Sequence, residues 1–292
     1  MTASPVLDID PQAFRAQFGR APFRIRHRLA LHPLFELPRL VQLGASHPAA
    51  LVEWNAGDLP IGLDPASTPR TGLSVEETIR RIETCRSWMV IKHVERDPEY
   101  GALLDACLDE FGRRSEALDP GMCEREGHVF VSSPGAVTPF HMDHEHNFLL
   151  QVRGTKTIRQ WDPADRSVVS EEDLERFYDG AHRNLPYRDE FEAKARTFEL
   201  APGDGLHFPI NAPHWVKNGD APSVSFSVTF KTPRALRRGA LLRINARLRA
   251  RGWHPSPPGR HPARDAAKWT LYRAARGAKR LLGHRGDDTP GY

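Results

Sequence analysis

The sequence predicts an α+β chain that is mainly β at its centre: a sandwich or barrel of short strands, with helices ahead of it and a basic helical tail behind. Three observations carry this. From about Gly127, short apolar or alternating runs are separated by Gly/Pro turns, the pattern of an all-β core. Upstream, apolar residues recur at helical spacing behind a capping signal. Beyond Thr232, leucines at helical spacing are embedded among arginines.

The first third reads as scaffold. In "LSVEETIRRIETCRSW", Ser74 is followed three residues on by Glu77, a reciprocal pair that satisfies free N–H groups at a helix start, and Val75, Ile79 and Ile82 then share a face. "PEYGALLDACLDEF" continues in kind with Leu104, Cys107, Leu108 and Phe111, and "WMVIKHV" between them is a strand-type run.

The candidate strands of the centre are "HVFVSS", "NFLLQV", "TKTIRQW", "TFEL", "DGLHF" and "SVSFSVTFK". One interruption, Asp162 to Arg196, is charged and partly helical, long enough to be a lid or binding element. In the last strand Ser223, Ser225, Ser227 and Thr229 fall on one face, and Val224, Phe226, Val228 and Phe230 on the other. Either it is half-exposed, or its hydroxyls line a polar cavity while its apolar face packs on an outer layer.

In the tail, "PRALRRGALLRINARLRARG" places Leu236, Ala240, Leu241, Ile244 and Leu248 on one stripe; "WHPSPPGRHP" breaks the helix and "ARDAAKWTLYRAARGAKRLLG" resumes it. Residues 231–292 carry 16 Lys/Arg against 3 Asp/Glu, so a +13 tail is joined to a −9 body within a net +4 chain. The arginines permit contact with nucleic acid or the ribosome through phosphate, although interleaved aromatics and a DNA-binding signature are lacking. The stripes suit docking on the body or pairing of two chains, and a homodimer is the expectation. The expected organisation is one domain over 1–232 (mixed region 1–126, barrel core 127–232, insertion 162–196) and a tail over 233–292 for dimerisation or docking.

Cys85, Cys107 and Cys123 are odd in number and widely spaced, which argues against a disulfide framework or a zinc knuckle; Cys85 and Cys107 are placed on helical stripes as buried thiols. No apolar run is long enough to span a bilayer and the opening lacks a basic-then-apolar pattern, so a cytoplasmic protein without a membrane span is expected.

The chemistry concentrates in "TPFHMDHEHNFLLQVRGTK", Thr138 to Lys156, with three histidines, an aspartate and a glutamate inside six residues. His141 and Asp143 form an H-x-D pair, and on an extended strand residues two apart project to one face. A second segment, "PGDGLHFPINAPHW", supplies His214 after a turn and a short strand. Two histidines and one carboxylate make the facial triad of non-haem iron(II), which leaves open positions for a co-substrate and dioxygen.

The words "SPGAVTPFHMDHEHNFLLQVRGTKTIRQWDPADR" and "PGDGLHFPINAPHWVKNG" resemble the JmjC-type, cupin-like 2-oxoglutarate oxygenases over roughly residues 127–231; "VEWNAGDLPIG" and "SWMVIKHVE" resemble the N-terminal region of the bacterial cupin-like domain proteins among them. The resemblance implies a double-stranded β-helix, a jelly-roll barrel with the metal inside its mouth. It implies iron(II) held by His141, Asp143 and His214. Lys156 and Thr138 then grip the distal carboxylate of 2-oxoglutarate, with Asn147 nearby. The implied reaction is hydroxylation of a protein or peptide side chain, with a small-molecule substrate or demethylation as alternatives.

The residues agree with that reading. If Lys156 faces inward, alternation turns Ile158 inward and Thr157 and Arg159 outward; a buried lysine without a partner is costly, and a dianionic ligand compensates it. On a regular strand Glu145 and Asn147 share the parity of Asp143, while His144 and His146 point away, as surface or satisfied histidines or in a supporting role. His207 is read as structural. Two rival readings are a cupin that senses a ligand or metal without catalysis, and a cupin metal enzyme of other chemistry; neither gives Lys156 a carboxylate to hold.

Overall fold

The computed structural model describes residues 5–281. The first half comprises β1 (Leu7–Asp8), α1 (Pro11–Gln17), β2 (Arg24–His27), α2 (Leu37–Ser46), β3 (Val52–Ala56), α3 (Val75–Arg80), β4 (Ser87–Ile91) and α4 (Pro98–Ser115). The barrel strands follow: β5 (Cys123–Ser132), β6 (Val137–His141), β7 (His146–Arg153) and β8 (Lys156–Gln160). After the insertion helix α5 (Glu171–Tyr178) come β9 (Arg196–Leu200), β10 (Asp204–Phe208), β11 (His214–Asn218) and β12 (Ser223–Lys231), then α6 (Pro233–Arg249) and α7 (Pro262–Leu281).

Two antiparallel sheets face each other, one ordered β1-β2-β10-β7-β12-β5-β4-β3 and the other β6-β11-β8-β9. The fold is a double-stranded β-helix with helices on its outside. The "RG" turn joining β7 to β8 needs its glycine: Gly154 has φ +70, and an added Cβ would lie 2.4 Å from the Pro222 carbonyl oxygen.

The alternation of β12 positions the site. Val224, Phe226, Val228 and Phe230 are fully buried, with Phe148, Leu150 and Val152 of β7 beside them, in a core completed by Phe14 of α1 and Leu104, Cys107, Leu108 and Phe111 of α4. Phe111 stacks on Phe148 at 3.7 Å between ring centroids. The opposite face of β12 looks between the sheets, so its hydroxyls are buried as well: Ser225 Oγ donates to Gln151 Oε1 at 2.7 Å, and Ser227 Oγ to Asn147 Oδ1 at 2.8 Å. The half-exposed alternative is thereby excluded.

The helices begin where the caps place them. Ser74 and Glu77 form the reciprocal capping box of α3, and the Asp97 carboxylate accepts from the backbone of Glu99 and Tyr100 ahead of Pro98 in α4. Two helical readings need correction. Helix α3 stops at Arg80, so Cys85 lies in the following turn, while Cys107 is helical and buried. In α6 the buried face is Gly239–Leu242 with Asn245, whereas Leu236 is exposed. The reason is a close contact with α5: a Cβ at Gly239 would stand 2.6 Å from Tyr178 Cε1, so the glycine, not the leucine spacing, sets the docked face. The tail docks on the insertion through Arg249, which binds Glu175, and Arg247, which binds Asp179. Among the described residues no helix is long and apolar enough to cross a membrane. The end of the tail beyond residue 281 lies outside the described residues.

Candidate metal centre

His141 closes β6 and His214 opens β11, and the antiparallel register sets them directly opposite each other. Their ring centroids are 4.1 Å apart. Asp143 is not on the strand: β6 ends at His141 and β7 begins at His146, so the H-x-D pair spans a strand end and a loop. The expected placement of both residues on an extended strand is corrected accordingly. The loop is held instead by Asn211, in the left-handed region at φ 62, whose backbone N–H donates to the Asp143 carbonyl at 2.8 Å.

The three side chains fit a metal. The Nδ1 of His141 lies 2.7 Å from the Pro139 carbonyl and that of His214 3.0 Å from the Ala212 carbonyl, so each Nδ1 carries the proton and each Nε2 presents its lone pair. Those Nε2 atoms stand 3.9 and 3.7 Å from the two oxygens of Asp143, too far for hydrogen bonds and close enough for one ion to lie among them. One ligand atom from each of the three residues falls within 4.8 Å of the others. Burial first, then the neighbouring charges, pushes His141 well below its ordinary range, and burial lowers His214 as well. Burial alone would raise the Asp143 carboxyl, but the imidazoles and the Arg183 guanidinium hold it down. Two neutral imidazoles and an ionised carboxylate are the protonation states that a divalent cation requires.

The same cavity contains Lys156, Thr138 and Asn147. Strand β8 alternates as expected, with Lys156 and Ile158 buried and Thr157 and Arg159 half-exposed. Lys156 is 5% exposed and has no hydrogen bond or ion pair among the described residues; its ammonium lies 5.7 Å from the centroid of the Phe130 ring, and burial lowers its pKa to about 7. Thr138 Oγ1 accepts from the Trp88 indole at 2.9 Å, which leaves its own proton free to donate. Asn147 Oδ1 is taken by Ser227, so its amide N–H groups are the available donors. The cavity therefore has three groups able to hold a metal at one place and uncompensated donors at another.

Residues that sequence reasoning missed complete the site. Arg183, in the insertion, brings Nη1 to 3.5 Å from Asp143 Oδ1, and its carbonyl accepts from the Met142 N–H. No local signal marks it, because it is one arginine in a charged insertion. Trp88 is invisible for the opposite reason: in "WMVIKHV" it reads as core. Glu145 lines the cavity with Asn147, as parity implied. His144 is partly buried, 3.0 Å from Glu145, and lowered by burial to about 4. His146 faces away from the cavity but is neither exposed nor satisfied: it is 3% exposed and neither ring nitrogen has a hydrogen-bond partner. His207 is a core histidine among Phe18, Phe23 and Phe148.

Comparison with known proteins bears on the same region. Residues 108–237 match the JmjC domain family. The Jumonji C domain-containing protein 5 of Drosophila melanogaster is 36% identical over 132 residues, 43% of this chain and 32% of that protein. Lysine-specific demethylase 8 of Danio rerio is 29% identical over 102 residues, 33% of this chain and 24% of that protein. The chain thus covers about a quarter to a third of the length of these relatives. Among solved structures, Escherichia coli YcfD superposes with a TM-score of 0.52 at 18% identity, covering 97% of this chain and 70% of that one. A second structure of YcfD, described as a ribosomal oxygenase in complex with cobalt and 2-oxoglutarate, gives 0.50 at 16% identity over 94% and 68%. At these identities the superpositions establish the fold.

Proposed function

From the premise that residues 108–237 of this chain are a JmjC domain, we propose an Fe(II)- and 2-oxoglutarate-dependent oxygenase acting on a protein or peptide side chain. The observation that carries the reading is Lys156, a buried ammonium without a counter-charge in the cavity of the His141–Asp143–His214 cluster. An isolated buried charge is expensive, and a dianion with one end at the metal and the other at Lys156 accounts for it. A purely sensory or differently reacting cupin leaves that lysine unexplained.

In this reading the Nε2 atoms of His141 and His214 and the carboxylate of Asp143 hold iron(II). Held there, iron(II) would supply the dioxygen activation that couples to decarboxylation of 2-oxoglutarate to succinate. Lys156 and the free Thr138 hydroxyl hold the distal carboxylate, Asn147 donates nearby, and the apolar walls keep water out. Arg183 keeps Asp143 ionised and oriented. The names of the relatives, one a ribosomal oxygenase and another a lysine-specific demethylase, support a protein substrate; hydroxylation is the outcome we favour. For the tail, exposed Trp253 and Leu271 support pairing of two chains, and light scattering of the wild type beside Trp253→Glu and Leu271→Glu tests it.

The test is anaerobic addition of Fe(II) and 2-oxoglutarate, watching for a metal-to-ligand charge-transfer band, followed by succinate release on adding oxygen. His141→Ala, Asp143→Ala and His214→Ala are each expected to lose the band while retaining the wild-type circular dichroism. Full turnover in all three variants would overturn the reading.

A further inference from the structure

The strand that carries the site on one face opens a second cavity behind the other. This cavity, of about 530 Å³, lies between the end of α1 and the first turns of α6, with His146 and Asp119 in its lining. It shares no residue with the first cavity. Its walls carry like charge from two elements. Arg15 and Arg20 come from α1 and the turn after it; Arg234 and Arg238 stand four residues apart on α6, hence on one helix face. All four are exposed, and none makes an ion pair or side-chain hydrogen bond with another described residue. Asp162 is the other acid in the lining besides Asp119.

The floor has the opposite deficiency. The His146 ring stacks on Phe18 at 4.5 Å between centroids and is 3% exposed, yet neither of its nitrogens has a hydrogen-bond partner. Its Nε2 is 3.6 Å from Asp119 Oδ2, longer than a hydrogen bond, and that oxygen already accepts from Thr232. Asp119 Oδ1 is buried without a partner too. Buried polar atoms are nearly always paired, so two adjacent orphans indicate a missing group that donates and accepts. A hydroxyl does both. Four unpaired guanidinium groups around such a floor, with a fifth, Arg166, already bound to Glu171, match an anion with several oxygens, which forked N–H donors recognise bidentately. The volume suits a small molecule.

We propose that this cavity binds a small hydroxylated phosphate ester, with the arginine walls taking the phosphate and the Asp119–His146 floor taking the hydroxyls. It gives part of the basic tail a local task, because two of the arginines are the tail's own. The site also touches the metal centre's support: Asn211, whose N–H holds the Asp143 carbonyl, lines it.

The experiment is calorimetric titration of the full chain at physiological ionic strength with ribose 5-phosphate, ribose, inorganic phosphate and a short single-stranded RNA. Ribose 5-phosphate is expected to bind, inorganic phosphate to bind more weakly, and ribose not at all. Arg20→Glu and Arg238→Glu, on opposite walls, should each weaken ribose 5-phosphate by about tenfold or more, as reversal of a charge contact does, with unchanged thermal midpoints. Asp119→Asn should weaken ribose 5-phosphate and leave inorganic phosphate unaffected. The proposal is overturned if ribose 5-phosphate does not bind at millimolar concentration, or binds both arginine variants as it binds the wild type. Binding of the RNA without ribose 5-phosphate would also overturn it, assigning the arginines to a nucleic-acid surface.

Discussion

The outer and inner faces of the β7–β12 pair are both buried, yet they are closed by different means. Outside, Phe148, Leu150, Phe226 and Val228 meet side chains of α1 and α4, and every contact comes from the chain itself. Inside, Ser225 is paired with Gln151 and Ser227 with Asn147, but the wall opposite carries a lysine with nothing to neutralise it. At these residues the outer face is completed by folding and the inner one by a ligand. The same strands therefore bear two kinds of sensitivity, one read in stability and the other in affinity.

The largest effect tests the outer face. Phe226→Ala removes a fully buried ring and should cost about 3–5 kcal/mol of folding stability in urea titrations; a loss under 1 kcal/mol, roughly the cost of a surface change, would break the contrast. Next comes Lys156→Met, of similar shape and uncharged. It should fold at least as stably as wild type, because it deletes an uncompensated buried charge, yet weaken 2-oxoglutarate by about 2–4 kcal/mol when titrated with metal bound. Unchanged affinity would remove the lysine from the site.

The titration of Lys156 sharpens the point. Burial puts it at about 7, whereas an unfolded lysine titrates near roughly 10.4. Between those values the unfolded chain binds more protons than the folded one, so stability rises with pH. Below the folded value the full cost of the buried charge is present. Denaturation of the ligand-free protein at stepped pH should show this rise, and Lys156→Met should lack its share of it. The smallest effect is Thr138→Val, which removes one neutral donor and should cost about 0.5–1.5 kcal/mol of 2-oxoglutarate affinity. A loss as large as that of Lys156→Met would mean that the hydroxyl and not the ammonium is the anchor.

What was legible in the sequence was what depends on short-range pattern. The alternation of β12, the parity of Lys156 and the capping box of Ser74 and Glu77 all stand in the structure as read. His141, Asp143 and His214 converge, but for a reason that half failed, since Asp143 sits in a loop and is placed by the backbone of Asn211. The strands holding His141 and His214 are five residues each, one containing Pro139 and the other following Pro213, so periodicity does not reveal them. Arg183 and Trp88 depend on contacts across the fold, of 40 and 50 residues' separation, and no local pattern encodes these. The face of α6 was misread because leucine spacing ignores a glycine that admits a tyrosine ring.

The clasp between tail and insertion bears on how this protein can be cut and recombined. Glu175 is 1% exposed, and its carboxylate is met by the guanidinium of Arg249, near the end of α6. Shortening the chain ahead of that arginine strands a negative charge on α5, eight residues before Arg183. A truncated or chimeric protein that keeps the barrel but borrows its tail from elsewhere must import α5 and α6 as a matched cassette. Without it, damage at the far end of the sequence arrives at Asp143.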